Sequence, residues 1–246
     1  MLLGLIGYPL DHSWSARYFN EKFRKEGRTD SVYQLFPLIS LDVFPAFLQS
    51  HPQLSGLNVT IPYKEKIIPY LDDLDETARQ IGAVNTIKII HENGKIITKG
   101  FNTDAGGFLE TLTEQIPLSH ALILGTGGAS RAVAFALKSL GIGFSFVSRN
   151  NRGPGIILYD ELSVEVIHDN KFIINTTPLG MYPLITEIPP LPYQGLTENH
   201  FLYDLIYNPD ETGFLKQGKL RNARTMNGMQ MLINQAELAY QIFEAR

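Results

Sequence analysis

Cysteine is absent from all 246 residues, and that one absence excludes disulfides, thiol nucleophiles and Cys-ligated zinc together. The six histidines are scattered without the paired spacing of a metal-binding helix, so no metal is expected. No apolar run approaches the roughly 20 residues that a membrane span needs. The N-terminus MLLGLIGYPL also lacks the basic start and small-residue cleavage site of a signal peptide. The expected setting is the cytoplasm, without a membrane partner. Clustered Lys and Arg are missing too, and the formal net charge is -4. Nucleic-acid binders rely on such clusters to displace phosphate counterions, so small molecules are the expected partners and nucleic acid is not. Internal repeats and low-complexity tracts are likewise absent.

The chain does have the material for a core. It is 44% hydrophobic and 19% charged, at a length that fits one large or two small domains. Short apolar runs at LLGLIG (2–7), SVYQLFPL (31–38) and LSGLNVTI (54–61) are separated by amphipathic stretches near 15–26 and 41–50. This alternation predicts right-handed βαβ units and a mainly parallel sheet. VNTIKIIHENGKIITKGF then alternates around Asn93-Gly94, a dipeptide suited to a tight hairpin turn, and predicts an antiparallel edge. After NTDAGG (102–107) a helical stretch precedes a second strand set: ALIL (121–124), GFSFVS (143–148), KFIINTT (171–177) and FLYDLIY (201–207). The expectation is an α/β protein of two domains, residues 1–103 with 229–246 in one and 104–228 in the other. In the final segment, Met229, Leu232, Ile233, Ala236, Ala239 and Phe243 recur at the spacing of one helix face. Met231, Leu238 and Ile242 make a second apolar row around Gln235, so this helix is expected to pack on two sides and carry Gln235 into a cleft.

The strongest nucleotide-binding pattern is ALILGTGGASRA, where a strand runs into Gly125, Gly127 and Gly128 and then a helix-forming stretch. Glycines let backbone approach a pyrophosphate, and a helix N-terminus aims free N–H groups and partial positive charge at it. The same pattern also serves a strand-to-helix turn without a ligand, and the third fingerprint position is Ser130 rather than Gly or Ala. The following strand ends in Ser148-Arg149-Asn150-Asn151-Arg152. NAD sites place an acidic residue there for the ribose hydroxyls, whereas a 2′-phosphate calls for Arg and small polar groups, which favours NADP. An ordinary solvated loop is the competing reading of Arg149 and Arg152.

Ligands of open α/β sheets bind beyond the carboxyl ends of the strands. At such an end lies Asn58-Val59-Thr60-Ile61-Pro62-Tyr63-Lys64, and two further polar clusters fall at equivalent exits, Gly82–Thr86 and Asn102-Thr103-Asp104. An ammonium and a carboxylate facing a hydroxyl can transfer its proton if burial and mutual charge tune them. Taken singly, Lys64 is equally a solvated lysine and Asp104 a helix cap. In Gly7-Tyr8-Pro9-Leu10-Asp11-His12-Ser13-Trp14-Ser15, two hydroxyls at a helix start form a neutral cradle for a carboxylate, or else Ser15 caps the helix.

Together these motifs resemble the shikimate dehydrogenase family, with matches from residue 4 to residue 235. GYPLDHSWS resembles the family's substrate-carboxylate loop and NVTIPYK its catalytic-lysine strand. GAVNT and NTDAGG resemble its substrate-hydroxyl strands, GTGGASRA its cofactor loop, NTTPLGM its later cofactor strand, and Gly228 through Gln235 its closing helix. The resemblance implies reversible, NADPH-dependent reduction of 3-dehydroshikimate to shikimate on the way to chorismate and the aromatic amino acids, by a substrate-binding α/β domain and a Rossmann-type NADP domain, as a monomer or homodimer. It assigns the shikimate carboxylate to Ser13 and Ser15, the ring hydroxyls to Thr60, Lys64, Asn85, Asp104 and Gln235, and the catalytic pair to Lys64 and Asp104. Tyr207 would line the substrate pocket, with Leu205 and Gly228 near the nicotinamide. Gly125, Gly127, Gly128, Ala129, Ser148, Arg149, Arg152 and Thr176 would complete the cofactor site. Cleft closure between the domains would then exclude water.

The departures from the family pattern are local. Ser15 is followed by Ala16 where the family has proline, Ser148-Arg149-Asn150 replaces Asn-Arg-Thr, and Gln230 stands where a second glycine is common. The stretch NRGPGIILYDELS is short, with two glycines and a proline, which disfavours a regular helix and trims the adenosine end. Three alternatives share the outline. The first is a quinate or broad-specificity relative, disfavoured by the paired serines. A non-catalytic nucleotide-sensing regulator is disfavoured by intact Lys64 and Asp104, and a folate dehydrogenase by the carboxylate cradle.

Overall fold

The run LLGLIG forms β1 (Leu2–Gly7), buried at every position in the computed structural model, which describes residues 1–10, 13–112 and 120–245. Successive side chains of a strand point to opposite faces. Leu2 and Ile6 accordingly enter one core with Phe44, Leu54, Leu57 and Ile87, while Leu3 and Leu5 enter another with Phe19, Phe23, Tyr33 and Phe243. Both faces of this sheet are therefore covered, as a continuous apolar run demands. The described chain divides into two compact units, Met1–Thr103 with Ala236–Arg246, and Asp104–Gln235.

In the first unit β1 leads to α1 (Trp14–Lys25), β2 (Val32–Pro37), α2 (Phe44–Ser50), β3 (Leu54–Val59), the two-residue β4 (Asp73–Leu74) and α3 (Glu76–Ile81). The hairpin β5 (Thr86–Glu92) and β6 (Lys95–Phe101) follows. Its turn places Asn93 at φ 50° and Gly94 at φ 75°, as Asn-Gly favours. The sheet order is β2-β1-β3-β5-β6-β4, with β1 parallel to β2 and β3, and β5 antiparallel to β3 and β6. The hairpin is thus not the edge that its alternation predicts. β4 pairs outside β6, and two residues are too few for a periodicity to show.

β2 is the other edge, and α1 caps its free backbone at one point. Asn20 donates from Nδ2 to the Tyr33 carbonyl and accepts from the Tyr33 N–H, both at 2.9 Å. At the start of α1, Trp14 stacks on Tyr18 with ring centroids 4.3 Å apart.

In the second unit the described elements are α4 (Asp104–Leu109), β7 (Ala121–Leu124), α5 (Gly128–Ser139), β8 (Phe144–Ser148), β9 (Ile156–Leu158), α6 (Val164–Asp169), β10 (Phe172–Asn175), β11 (Phe201–Asp204), α7 (Gly213–Lys219) and β12 (Arg224–Met226). Every strand pair is parallel, in the order β12-β11-β10-β7-β8-β9. This is the doubly wound Rossmann order, with its reversal between β7 and β10. β9 and β12 have three residues each and escape the sequence pattern. No helix intervenes between β8 and β9; residues 149–155 alone connect them, and Gly155 at φ +71° turns the chain into β9. Parallel neighbours ordinarily need a dozen or more linking residues.

The last helix, α8 (Met229–Glu244), contributes to both units. Met231 belongs to the second unit's core, whereas Ala236, Ala239, Tyr240 and Phe243 pack with Phe19 and Phe23 in the first. Around that C-terminal half, Lys22 pairs with Glu237 at 2.9 Å, Tyr240 Oη donates to Glu26 at 2.7 Å, and Arg28 holds Glu244 by two bonds of 2.8 and 2.6 Å. Such half-exposed pairs are worth little individually, so apolar burial dominates the attachment. Among the described residues, no helix is long and apolar enough to cross a membrane.

The attachment depends on one missing side chain. A Cβ at Gly56 of β3 would lie 2.3 Å from the Phe243 ring. Gly56→Ala is therefore expected to displace the end of α8 and lower stability by about 1–3 kcal/mol in urea denaturation.

Candidate functional site

The polar residues at the strand exits of the first unit form one buried network. Asn58 and Thr86 are register partners on β3 and β5, and Asn58 Nδ2 donates to Thr86 Oγ1 at 3.1 Å and to the Asn85 carbonyl at 3.2 Å. Asn85 then closes on Thr103, donating from Nδ2 to Thr103 Oγ1 at 2.9 Å and accepting from its N–H at 2.7 Å. Lys64 is fixed beside this network through its main chain, whose carbonyl accepts from Val84 N–H at 2.7 Å. Thr60 continues β3, its N–H bonded to the Ile6 carbonyl at 3.0 Å. Thr103 directly precedes Asp104, which is buried and is the first residue of α4 rather than the residue before it.

The two serines are not equivalent. Ser13 takes the N-cap position of α1 but makes no side-chain cap bond. Ser15 lies inside the first turn and so does not cap the helix. Buried Tyr33 on β2 joins the strand-exit network, its Oη donating to Asn58 Oδ1 at 2.9 Å. Asp11 and His12 of this loop lie outside the described residues.

In the second unit Gly125 adopts φ +112°, and a Cβ there would lie 2.8 Å from Thr176 Oγ1. The ends of β7 and β10 thus meet at the reversal of strand order. Thr176 Oγ1 donates to the Leu124 carbonyl at 2.6 Å. Gly127 is the N-cap of α5, without a side-chain bond, and a Cβ there would meet nothing within 4 Å. The first N–H groups of α5, which include those of Gly128 and Ala129, have no acceptor within the helix. This donor set, together with the helix dipole, fits a pyrophosphate. Ser130 replaces a third glycine without strain, because its buried hydroxyl donates to the Gly127 carbonyl at 2.6 Å.

At the end of β8, Ser148 Oγ accepts from Asn151 N–H at 3.0 Å, and Asn151 Nδ2 donates to Thr126 Oγ1 at 3.1 Å. These bonds tie the glycine-rich turn to the loop carrying two arginines. Arg149 and Arg152 are both exposed, and Arg152 pairs with Glu161 at 3.2 Å. No acidic residue stands in Ser148–Arg152, which suits a 2′-phosphate better than a bare ribose.

The remaining candidates surround β11. Leu205 N–H extends the ladder to the Asn175 carbonyl at 2.9 Å, and a Cβ at Gly228 would lie 2.0 Å from the Leu205 carbonyl oxygen, so only glycine fits. Burial raises the Tyr207 phenol. Gln235 Nε2 donates to the Leu232 carbonyl of its own helix at 2.8 Å.

Sequence reading placed Asn58, Thr86, Thr103 and Asn175 within motifs but gave them no role of their own, and it passed over Tyr33 and Asp204. Asp204 lies in the apolar run FLYDLIY, and only its fully buried carboxylate betrays it, receiving bonds from Thr212 Oγ1 at 2.6 Å, Ile206 N–H at 3.0 Å and Asn175 Nδ2 at 3.0 Å.

Residues 5–87 match the model of the shikimate dehydrogenase substrate binding domain. The chain is 39% identical to the shikimate dehydrogenase (NADP(+)) of Carboxydothermus hydrogenoformans, over 98% of this chain and 90% of that protein. Among solved structures it is similar to the chorismate mutase/shikimate 5-dehydrogenase fusion protein from Clostridium acetobutylicum. That match has TM-score 0.85 and 35% identity, over 99% of this chain and 90% of the other. It is also similar to the shikimate 5-dehydrogenase of Thermus thermophilus in complex with NADP(H) and shikimate. There the TM-score is 0.83 and the identity 32%, over 99% and 93% of the two chains.

Burial moves the Asp204 carboxyl up from 3.8 to about 6, against its three hydrogen bonds. The folded state then keeps this proton to higher pH than the unfolded chain does. Its contribution is complete below pH 3.8 and is lost as pH rises through about 6. Denaturation from pH 4 to pH 7 should show a loss on the order of 3 kcal/mol from this group. Asp204→Asn should remove that component of the slope.

Proposed function

The chain belongs to the shikimate dehydrogenase family, and from that premise we propose that Lys64 and Asp104 handle the proton in an NADPH-dependent reduction of 3-dehydroshikimate to shikimate. The reaction is reversible. NADPH, when bound, supplies the hydride that C3 of the substrate receives. The carbonyl oxygen gains negative charge as this happens, and an ammonium stabilises that charge and delivers a proton. Lys64 takes this role, with Asp104 as the carboxylate that exchanges the proton with it.

The remaining assignments are those that the family resemblance implies. Ser13 and Ser15 hold the substrate carboxylate, and Thr60, Asn85 and Gln235 hold ring hydroxyls, with Tyr207 against the ring. Gly125, Gly127, Gly128 and Ala129 would hold the pyrophosphate. Ser148, Arg149 and Arg152 would hold the 2′-phosphate, and Thr176, Leu205 and Gly228 the nicotinamide end. The protein's own contribution is orientation.

The observation that carries this reading is the Asn85–Thr103 closure. It fixes, by hydrogen bonds on neighbouring residues, both the main chain at Lys64 and the residue before Asp104. Lys64 is itself half-buried, where a lysine left to solvent is ordinarily exposed.

The test is shikimate-dependent reduction of NADP by the purified protein, with NAD and quinate in parallel. Lys64→Ala is expected to lower kcat by about 10²- to 10⁴-fold with NADP affinity unchanged. Binding of NADP without turnover on either acid would sink the reading.

A further inference from the structure

We propose that Asp204 is a positioning residue for the nicotinamide end of the cofactor, its Oδ1 tying the exit of β11 to that of β10 through Asn175. The inference rests on the reading of Thr176, Leu205 and Gly228 given above.

Asn175 and Asp204 are register partners on β10 and β11, and both are fully buried. Their bond directions are forced. The Thr177 N–H can only donate, so the Asn175 atom 3.0 Å from it is the oxygen, which Thr177 Oγ1 also reaches at 2.6 Å. The Asn175 nitrogen is thereby turned to Asp204 Oδ1 at 3.0 Å and to the Leu179 carbonyl at 3.3 Å. Asp204 Oδ1 accepts a second bond from the Ile206 N–H at 3.0 Å, and Thr212 Oγ1 donates to Oδ2 at 2.6 Å.

Each end of this tie encloses a residue assigned to the nicotinamide. The bonds from Thr177 to Asn175 close a turn around Thr176, whose own N–H and hydroxyl both reach the Leu124 carbonyl, at 3.1 and 2.6 Å. The bond from Ile206 to Asp204 closes the same kind of turn around Leu205. The Ile206 carbonyl then accepts from the Gly228 N–H at 3.0 Å, and the Leu205 N–H holds to the Asn175 carbonyl at 2.9 Å. Two turns, side by side and bonded to each other, thus set the spacing of Thr176, Leu205 and Gly228. The adenosine end is held by separate bonds, Asn151 to Thr126 and Arg152 to Glu161.

Asp204→Asn keeps an oxygen for the Asn175 and Ile206 donors and turns its new N–H groups to Thr212, whose hydroxyl then accepts. Asp204→Leu is similar in size but offers no acceptor, so both donors are stranded and the two exits lose their tie.

One readout is the emission anisotropy of bound NADPH, which reports the rotational freedom of the reduced nicotinamide itself. The other is affinity for adenosine 2′,5′-bisphosphate, which has the 2′-phosphate but no nicotinamide. Asp204→Leu is expected to lower the anisotropy toward the free-cofactor value and kcat by about tenfold or more, with bisphosphate affinity within about twofold. Asp204→Asn should recover most of both losses. A general lesion would weaken the bisphosphate in step with kcat. If Asp204→Leu does so, the Asn175→Leu/Asp204→Leu double variant carries the test, because replacing both partners by apolar groups strands fewer polar atoms. Bisphosphate affinity that falls in step in both variants overturns the proposal. So does an anisotropy or a kcat at its wild-type value in the variant that passes this control, or an Asp204→Asn variant as impaired as Asp204→Leu. A wild type that does not reduce NADP with shikimate, or whose bound NADPH rotates like the free cofactor, removes the reading of the nicotinamide end and this inference with it. An active wild type that holds its nicotinamide rigidly, beside an indifferent Asp204→Leu, removes this inference alone.

Discussion

A primary amide buried away from water costs free energy unless both its oxygen and its nitrogen find partners, and Asn85 is 2% exposed. Its side chain bonds Thr103 through both its nitrogen and its oxygen, and its main-chain carbonyl accepts from Val59 and Asn58 of the neighbouring strand. That requirement fixes where β3 ends, where β5 begins and where the chain leaves the first sheet. The residues proposed to do chemistry are attached to these three points. Their placement follows from an amide that makes no chemical change itself.

Much of the architecture was legible in the sequence because it depends on near neighbours. The apolar run of β1, the Asn-Gly turn between β5 and β6, and the glycine-rich passage from β7 to α5 each carry a local physical reason. The short pieces were illegible for an equally physical reason. β4, β9 and β12 are too brief to show a period, and they exist because a neighbouring strand offers them hydrogen bonds. Tyr33 reads as one more aromatic in SVYQLFPL, and the partner of its hydroxyl, Asn58, is distant in sequence. Asp204 hides in an apolar run in the same way. A buried polar group is recognisable only when its partners are known, and those partners are set by topology.

The cofactor end shows how a shortened chain keeps a nucleotide site. With no helix between β8 and β9, the loop carrying Arg149 and Arg152 must be held by other means. Asn151 bridges it to Thr126 of the glycine-rich turn, and Glu161 receives both Arg152 and the Leu158 N–H, the latter at 2.8 Å. Side-chain bonds replace the support that a packed helix would give. They also leave the two arginines unequal, one already paired and the other exposed at the strand end.

Trp14 is the only tryptophan in the chain, and it lies between Ser13 and Ser15 with its ring against Tyr18. Every photon of indole emission from this protein therefore originates in one turn of α1. The molecule carries a built-in optical probe at the serine loop, one that needs no label. In a chain without cysteine, a second dye could be placed at any chosen position by introducing a single thiol, giving a donor–acceptor pair of known location.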